Sequence, residues 1–198
     1  MNVKCIKKFR ELPIELPDIK RVPVFSRWHM DYIGPLPPDT KQQYQFILVA
    51  VDYTSNLIMA EPYPHQSSVD VYTMILRIIS LYGVPVELAT DNGKPFISEV
   101  VSVLANKLQI KLIQTSAYNP RGNSKAERSI KMIKAVLKHM GERQLNHWST
   151  FVYTAINIIN STKLIYGYAP CEIAYNKPPI LRQKMYETLL VKHLSHTD

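Results

Sequence analysis

The segment YQFILVAVDY at residues 44–53 sets the terms for the rest of the chain. Its apolar core, Phe46 to Val51, is too short for an ordinary helix and too continuous to leave one face in water. β-branched and aromatic residues dominate it, so it reads as a strand buried on both faces, inside a sheet that is covered above and below. Its neighbours have to supply the pairing and the cover. WHMDYI (28–33) reads as a shorter strand, closed by GPLPPD, which cannot stay in a ladder. LIMAEPYP (57–64) follows the turn signal TSN and forms a hairpin with the central run.

Beyond the hairpin the period changes. Val71, Met74, Ile75, Ile78 and Ile79 fall on one side of a helix over Ser67–Tyr82, with Ser67 or Ser68 as cap and Gly83 and Pro85 as stop. VELAT (86–90) is a further buried strand. Phe96 to Leu108 is a second amphipathic helix with Ser98 as its cap, and IKLIQT (110–115) another strand. YNPRGN (118–123) is a loop by composition. Ser124–Met140 reads as a long basic helix ended by Gly141, His147–Ser161 as a further helix, and Pro170 opens a short one at its first turn. A hairpin followed by βα units predicts an α/β chain: a mixed five-stranded sheet with helices on both faces. One domain is expected over about residues 24–176, with 1–23 as a lead-in and 177–198 as a tail.

Charge points to a partner. The 24 basic residues against 16 acidic ones give +8, with a pI near 9.4, which favours polyanions. Residues 23–110 hold 5 basic and 8 acidic groups, whereas 121–143 hold 7 basic and 2 acidic, so the positive charge is concentrated on one segment. No apolar run nears the ~20 residues of a membrane span, so no membrane is expected. Cys5 and Cys171 form neither a disulfide framework nor a zinc spacing, and a reducing compartment fits best.

Three carboxylates stand where strands or a helix would present them to one cleft. Asp31 lies within the first strand, Asp91 at the end of VELAT before Asn92 and Gly93, and Glu127 near the start of the basic helix. If the first strand and VELAT are adjacent and parallel, Asp31 and Asp91 come within a cation's reach. Oxygen-only ligation with few carboxylates suits Mg²⁺ or Mn²⁺. Any one of these residues alone is more simply a cap, a turn residue or a solvated side chain. Asp52, in the central strand, is left out for that reason. His29 is read as a strand neighbour on the face of Asp31 with no role of its own, and His65 carries none.

WHMDYIGPLP, FILVAVDYTS, YGVPVELATDNGKPF, TSAYNPRGNSKAERSIK and YGYAPCEIAYNKPP follow one another in an order that resembles the integrase cores of retroviruses and of Ty3/gypsy-like retrotransposons. The resemblance spans about residues 24–180. The family's D,D(35)E signature is met, since 35 residues separate Asp91 from Glu127, and Asp31 sits in an His-x-Asp setting. The resemblance implies an RNase H-like fold and a DNA-joining enzyme with a two-metal site of Mg²⁺ or Mn²⁺. In it Asp31 bridges, Asp91 completes one site and Glu127 the other. It implies 3′-end processing followed by strand transfer. It also implies DNA as partner, a homo-oligomer on that DNA, and action in the nucleus after synthesis in the cytoplasm.

Glu127, Lys131, Lys134 and Lys138 form one helical stripe beside the apolar stripe Ala126, Ile130, Ile133, Leu137 and Met140. The lysines are therefore expected on DNA phosphates. By resemblance AYNPRGN is an active-site loop in which Tyr118 stacks on a base and Asn119 or Arg121 touches the DNA end. Asn92, beside Asp91, is expected either to order the metal site or target DNA or to serve as a cap. The family's N-terminal zinc domain and C-terminal DNA-binding module are not recognised, so a core fragment or a reduced reading frame is expected, with 1–23 as a remnant or linker. The alternative is a domesticated, catalytically silent DNA-binding or interaction protein. An RNase H acting on hybrids and a cut-and-paste transposase fit less well, because neither carries this order of blocks.

Overall fold

The computed structural model describes residues 22–39, 42–114, 128–137, 145–163 and 167–176. Five strands, β1 (Arg27–Ile33), β2 (Phe46–Asp52), β3 (Ile58–Tyr63), β4 (Glu87–Thr90) and β5 (Lys111–Gln114), form one sheet in the order β3-β2-β1-β4-β5. β1–β2 and β2–β3 pair antiparallel, while β1–β4 and β4–β5 pair parallel. The mixed sheet anticipated from the sequence is thus present, with the apolar β2 in its interior.

The alternation of side chains across β2 splits the core into two layers. Leu48 and Ala50 pack with Trp28, Met30 and Leu88 under α1 (Ser68–Tyr82) and α2 (Glu99–Lys107). Ile47, Val49 and Val51 pack on the opposite face with Ile133 and Leu137 of α3, residues 128–137, and with Val152, Ala155 and Ile159 of α4 (Val152–Ser161). A last short helix, α5 (Pro170–Tyr175), starts at its proline as expected. Among the described residues no helix is long and apolar enough to cross a membrane.

Local chemistry explains most boundaries. The Ser67 hydroxyl caps α1 by accepting the Asp70 N–H at 3.2 Å, and Gly83, at φ 89°, ends it by donating to the Ile79 carbonyl at 2.9 Å. Asp52 closes the β2–β3 hairpin, fully buried. Its carboxylate accepts the Phe25 N–H at 2.7 Å, the Ser55 N–H at 2.7 Å and the Ser55 hydroxyl at 2.6 Å. Burial raises its pKa above the usual carboxylate value, against the pull of those donors. Asp52 is a structural carboxylate, consistent with its exclusion from the candidate set.

Two helices differ from expectation. α2 begins at Glu99, because Phe96 is held in a turn by its N–H to the Gly93 carbonyl at 2.9 Å. Ser98 at the cap makes no side-chain cap bond, and its hydroxyl donates to the Pro95 carbonyl at 3.1 Å. The helix expected over 147–161 divides. Leu145–Phe151 is a 3-10 stretch with a break at His147 (φ −134°, ψ 29°), and α4 starts at Val152. Tertiary bonds hold the break. Trp148 Nε1 donates to the Pro37 carbonyl at 2.7 Å, and the Ser149 hydroxyl donates to the buried Asp39 carboxylate at 2.8 Å. Both ties run to the segment that leaves β1, and an uninterrupted helix would not offer both side chains to it.

Candidate active site

The parallel ladder between β1 and β4 runs from Arg27 opposite Glu87 to Met30 opposite Thr90. One step further along the same register brings Asp31 level with Asp91, the residue that follows β4. Neighbouring strands lie about 4.8 Å apart, so the two carboxylates issue from adjacent backbones at the carboxyl ends of parallel strands. Crevices of open α/β sheets bind ligands at such ends. On its other side Asp31 stands opposite Val49, a member of the layer under α3. Directly opposed residues share a face, so Asp31 belongs to the face that α3 covers. Asp31 is half-buried and Asp91 exposed.

Each carboxylate is held by backbone. Asp31 Oδ1 accepts the Tyr32 N–H at 2.7 Å. Asp91 Oδ1 accepts the Gly93 N–H at 2.9 Å, a turn in which an Asp side chain takes a backbone donor two residues on. The turn continues from the Gly93 carbonyl to the Phe96 N–H, and Phe96 is buried against Tyr32 with ring centroids 5.6 Å apart. Asp91 is thereby tied through a short turn to a core anchor. Gly93 is required by close approach: a Cβ there would lie 2.9 Å from Asp91 Oδ1 and 3.4 Å from Phe96 Cδ2.

His29 sits two residues before Asp31 on the same face, between Val51 of β2 and Ala89 of β4 in register. It is only 7% exposed, and its Nδ1 has no hydrogen-bond partner among the described residues. Burial depresses its pKa to about 4, with the Asp91 charge acting in the opposite direction. Its ring is therefore neutral at pH 7 and lies within the electrostatic reach of Asp91. The sequence held a signal for it, the His-x-Asp spacing that puts both residues on one face, but nothing in the spacing revealed burial. Gly93, two residues after Asp91, carries no sequence signal for its close approach to that carboxylate.

The remaining candidates divide by position. Lys131 and Lys134 are exposed on α3, whose Ile133 and Leu137 are buried against the sheet, so the separation of basic and apolar stripes is present over the described turns. Asn92 is exposed beside Asp91. Glu127, Tyr118, Asn119, Arg121 and Lys138 lie outside the described residues, as do Ala126 and Met140. Among the described residues no group of three or more His, Cys, Asp or Glu is gathered for a metal. The described pair supplies the hard oxygen donors that Mg²⁺ or Mn²⁺ takes, beside a buried ring nitrogen with an unmet hydrogen bond.

Comparison with known proteins agrees with this architecture. The family described as "Integrase core domain" matches residues 23–120. The Gag-Pol polyprotein of Avian reticuloendotheliosis virus is 28% identical over 158 residues, which cover 79% of this chain and 14% of that polyprotein. The chain thus spans a small part of that relative. The catalytic core domain of BIV integrase superposes with a TM-score of 0.62 at 26% identity, covering 76% of this chain and 94% of that one. The HTLV-2 integrase catalytic core, solved in complex with magnesium in a trimeric form, matches with a TM-score of 0.62. Identity there is 22%, over 75% of this chain and 95% of that one, a likeness of fold. The fold is RNase H-like, in keeping with these neighbours.

Proposed function

Because this chain belongs to the integrase core family, we propose that it joins DNA ends by metal-dependent polynucleotidyl transfer. Trimming of the element's 3′ ends and strand transfer into target DNA would then be two reactions of one site. The observation that carries this is the placement of Asp31 and Asp91 one register step beyond the last β1–β4 pair, on adjacent strand ends. Glu127, which immediately precedes the described residues of α3 in the sequence, completes the carboxylate set in this proposal. Asp31, Asp91 and Glu127 would hold two Mg²⁺ or Mn²⁺ ions. When bound, such ions lower the pKa of the attacking water or 3′-hydroxyl and stabilise the leaving oxygen at phosphorus.

The chain's own residues do the rest. Asp31, half-buried and tied to the Tyr32 amide, is the inner carboxylate. Asp91 is the outer one, exposed toward incoming DNA and kept in orientation by the Gly93 amide. Lys131 and Lys134 lie on the exposed side of α3, where they neutralise backbone phosphates and set the register of the duplex. Lys138, Tyr118, Asn119, Arg121 and Asn92 are assigned the further DNA contacts. An in-line displacement at phosphorus needs no side-chain nucleophile. Assembly as a homo-oligomer on DNA, and action in the nucleus, complete the proposal.

The test is incubation of the chain with labelled duplex ends and Mn²⁺, with joined strands read on a denaturing gel. Joined product is expected from the unmodified chain. Loss of product is expected in Asp31→Asn, Asp91→Asn and Glu127→Gln, each with an unchanged melting temperature. Any of the three that keeps most of the joining activity refutes the role given to that residue. No product at any DNA end, with DNA still bound, would instead make the chain a silent binding module.

A further inference from the structure

We propose that His29 is a positioning residue of the metal site: its buried Nδ1 accepts a hydrogen bond from a water that arrives in the coordination shell of the cation held by Asp31 and Asp91. The inference rests on the functional reading above and assigns a role to a side chain that this reading left idle.

The argument starts from a polar atom without a partner. His29 Nδ1 is buried and finds no hydrogen bond among the described residues. A buried polar atom left unpaired costs about 1–3 kcal/mol, and each instance calls for an explanation. The flanking positions, Val51 and Ala89, present no side-chain donor. The only other such atom among the described residues, Asn56 Oδ1, lies in the β2–β3 turn, beyond Asp52 at the end of β2, whereas Asp31 pairs with Val49 at the middle of that strand. His29, by contrast, shares its strand face with Asp31 and stands in register two pairs before the Asp31–Asp91 step, the next position on that face.

The chemistry of the proposed occupant supplies the missing donor. Mg²⁺ and Mn²⁺ bound by few carboxylates keep several waters, and coordination makes the hydrogens of those waters strong donors. A neutral imidazole carries one acceptor nitrogen. With Nδ1 in that role, one hydrogen bond would fix both the ring and the orientation of the water. Groups that orient ligands from behind typically change metal affinity 10- to 100-fold when removed. His29 touches neither DNA nor the reacting phosphorus in this account, and it acts through the water alone.

Three substitutions separate positioning from packing. Asn places its amide oxygen close to the position of Nδ1 but leaves the most empty volume. Gln conserves volume but carries its amide one bond further out. Leu fills the space with no polar atom. Mn²⁺ binding to the whole chain without DNA, read from the free-ion electron paramagnetic resonance signal, gives affinity, and thermal melts without metal give stability. Expected is a rise in Mn²⁺ dissociation constant of about 10-fold or more in His29→Leu and His29→Gln. His29→Asn should stay within about three-fold of the unmodified chain, despite the largest loss of melting temperature. Affinity that is unchanged in His29→Leu, or that falls most in His29→Asn, overturns the inference, because it would follow packing or nothing at all. Asp31→Asn and Asp91→Asn serve as references. If they too leave Mn²⁺ affinity unchanged, the carboxylate site itself is wrong, and the failure lies with the proposed function rather than with His29 alone.

Discussion

Gly93→Ala adds one methyl group at the point where the turn after β4 passes closest to Asp91. The added Cβ would stand 2.9 Å from Asp91 Oδ1, whereas ordinary contact begins at 3.4 Å, so the oxygen has to retreat by about 0.5 Å. The other near atom, Phe96 Cδ2, is already at 3.4 Å and belongs to a ring buried in the core. Relief therefore falls on the exposed carboxylate, which can rotate about its own side-chain bonds. That rotation weakens the Gly93 N–H to Asp91 Oδ1 hydrogen bond, worth about 1 kcal/mol. In a chain of this size that is a melting shift of about 2–4 °C. The effect on the site is larger, because a displacement of about 0.5 Å is the tolerance within which ligand geometry has to be held. Mn²⁺ affinity should fall about 10-fold and joining of labelled ends by 10- to 100-fold. Gly83→Ala is the control: no atom lies within 4 Å of its added Cβ, but φ is +89°, so it should lower stability and leave Mn²⁺ affinity alone. Gly93→Ala with unaltered Mn²⁺ affinity and a large loss of stability would show that Phe96 yields instead and would refute the reasoning that relief falls on Asp91; unaltered Mn²⁺ affinity with only the small melting shift expected of a displaced carboxylate would refute the placement of Asp91 as a cation-holding residue.

Three further outcomes are expected. Burial lowers the His29 pKa from 6.5 to about 4, so between those values the unfolded chain holds a proton that the folded chain lacks, and stability falls as pH drops. Urea melts at pH 7 and pH 5 should differ by about 2 kcal/mol more in the unmodified chain than in His29→Leu; equal differences would show that the ring does not titrate as described. Ser149→Ala removes the hydroxyl donor to buried Asp39 and should cost about 1–3 kcal/mol in the same melts, with a loss under 0.5 kcal/mol counting against that tie as the cause of the break before α4. Lys131→Ala with Lys134→Ala should weaken duplex binding and lower the slope of log affinity against log salt by about 1–2; an unchanged slope would mean that neither lysine meets a phosphate.

The amino-acid order by itself determined the kinds of element and their sequence along the chain. The unbroken apolar run of β2 could only be an interior strand, and it is flanked on both sides. The 3.6-residue rhythm of Val71, Met74, Ile75 and Ile78 could only be one face of a helix, and all four are buried. Asp31 and Asp91 were legible as candidates because each stands in or just after a strand, in blocks whose order resembles a known family. Periodicity, however, records only which side of an element avoids water. It carries no information about what stands across from that side. Tertiary structure alone set β4 beside β1 in parallel, and with it the register that brings Asp31 level with Asp91 across 60 residues of sequence. It alone buried His29 between Val51 and Ala89, brought a would-be Cβ of Gly93 against Asp91, and broke the helix at His147 through bonds from Trp148 and Ser149 to residues more than 100 positions earlier. These are contacts between distant segments, and their energies depend on where each segment packs.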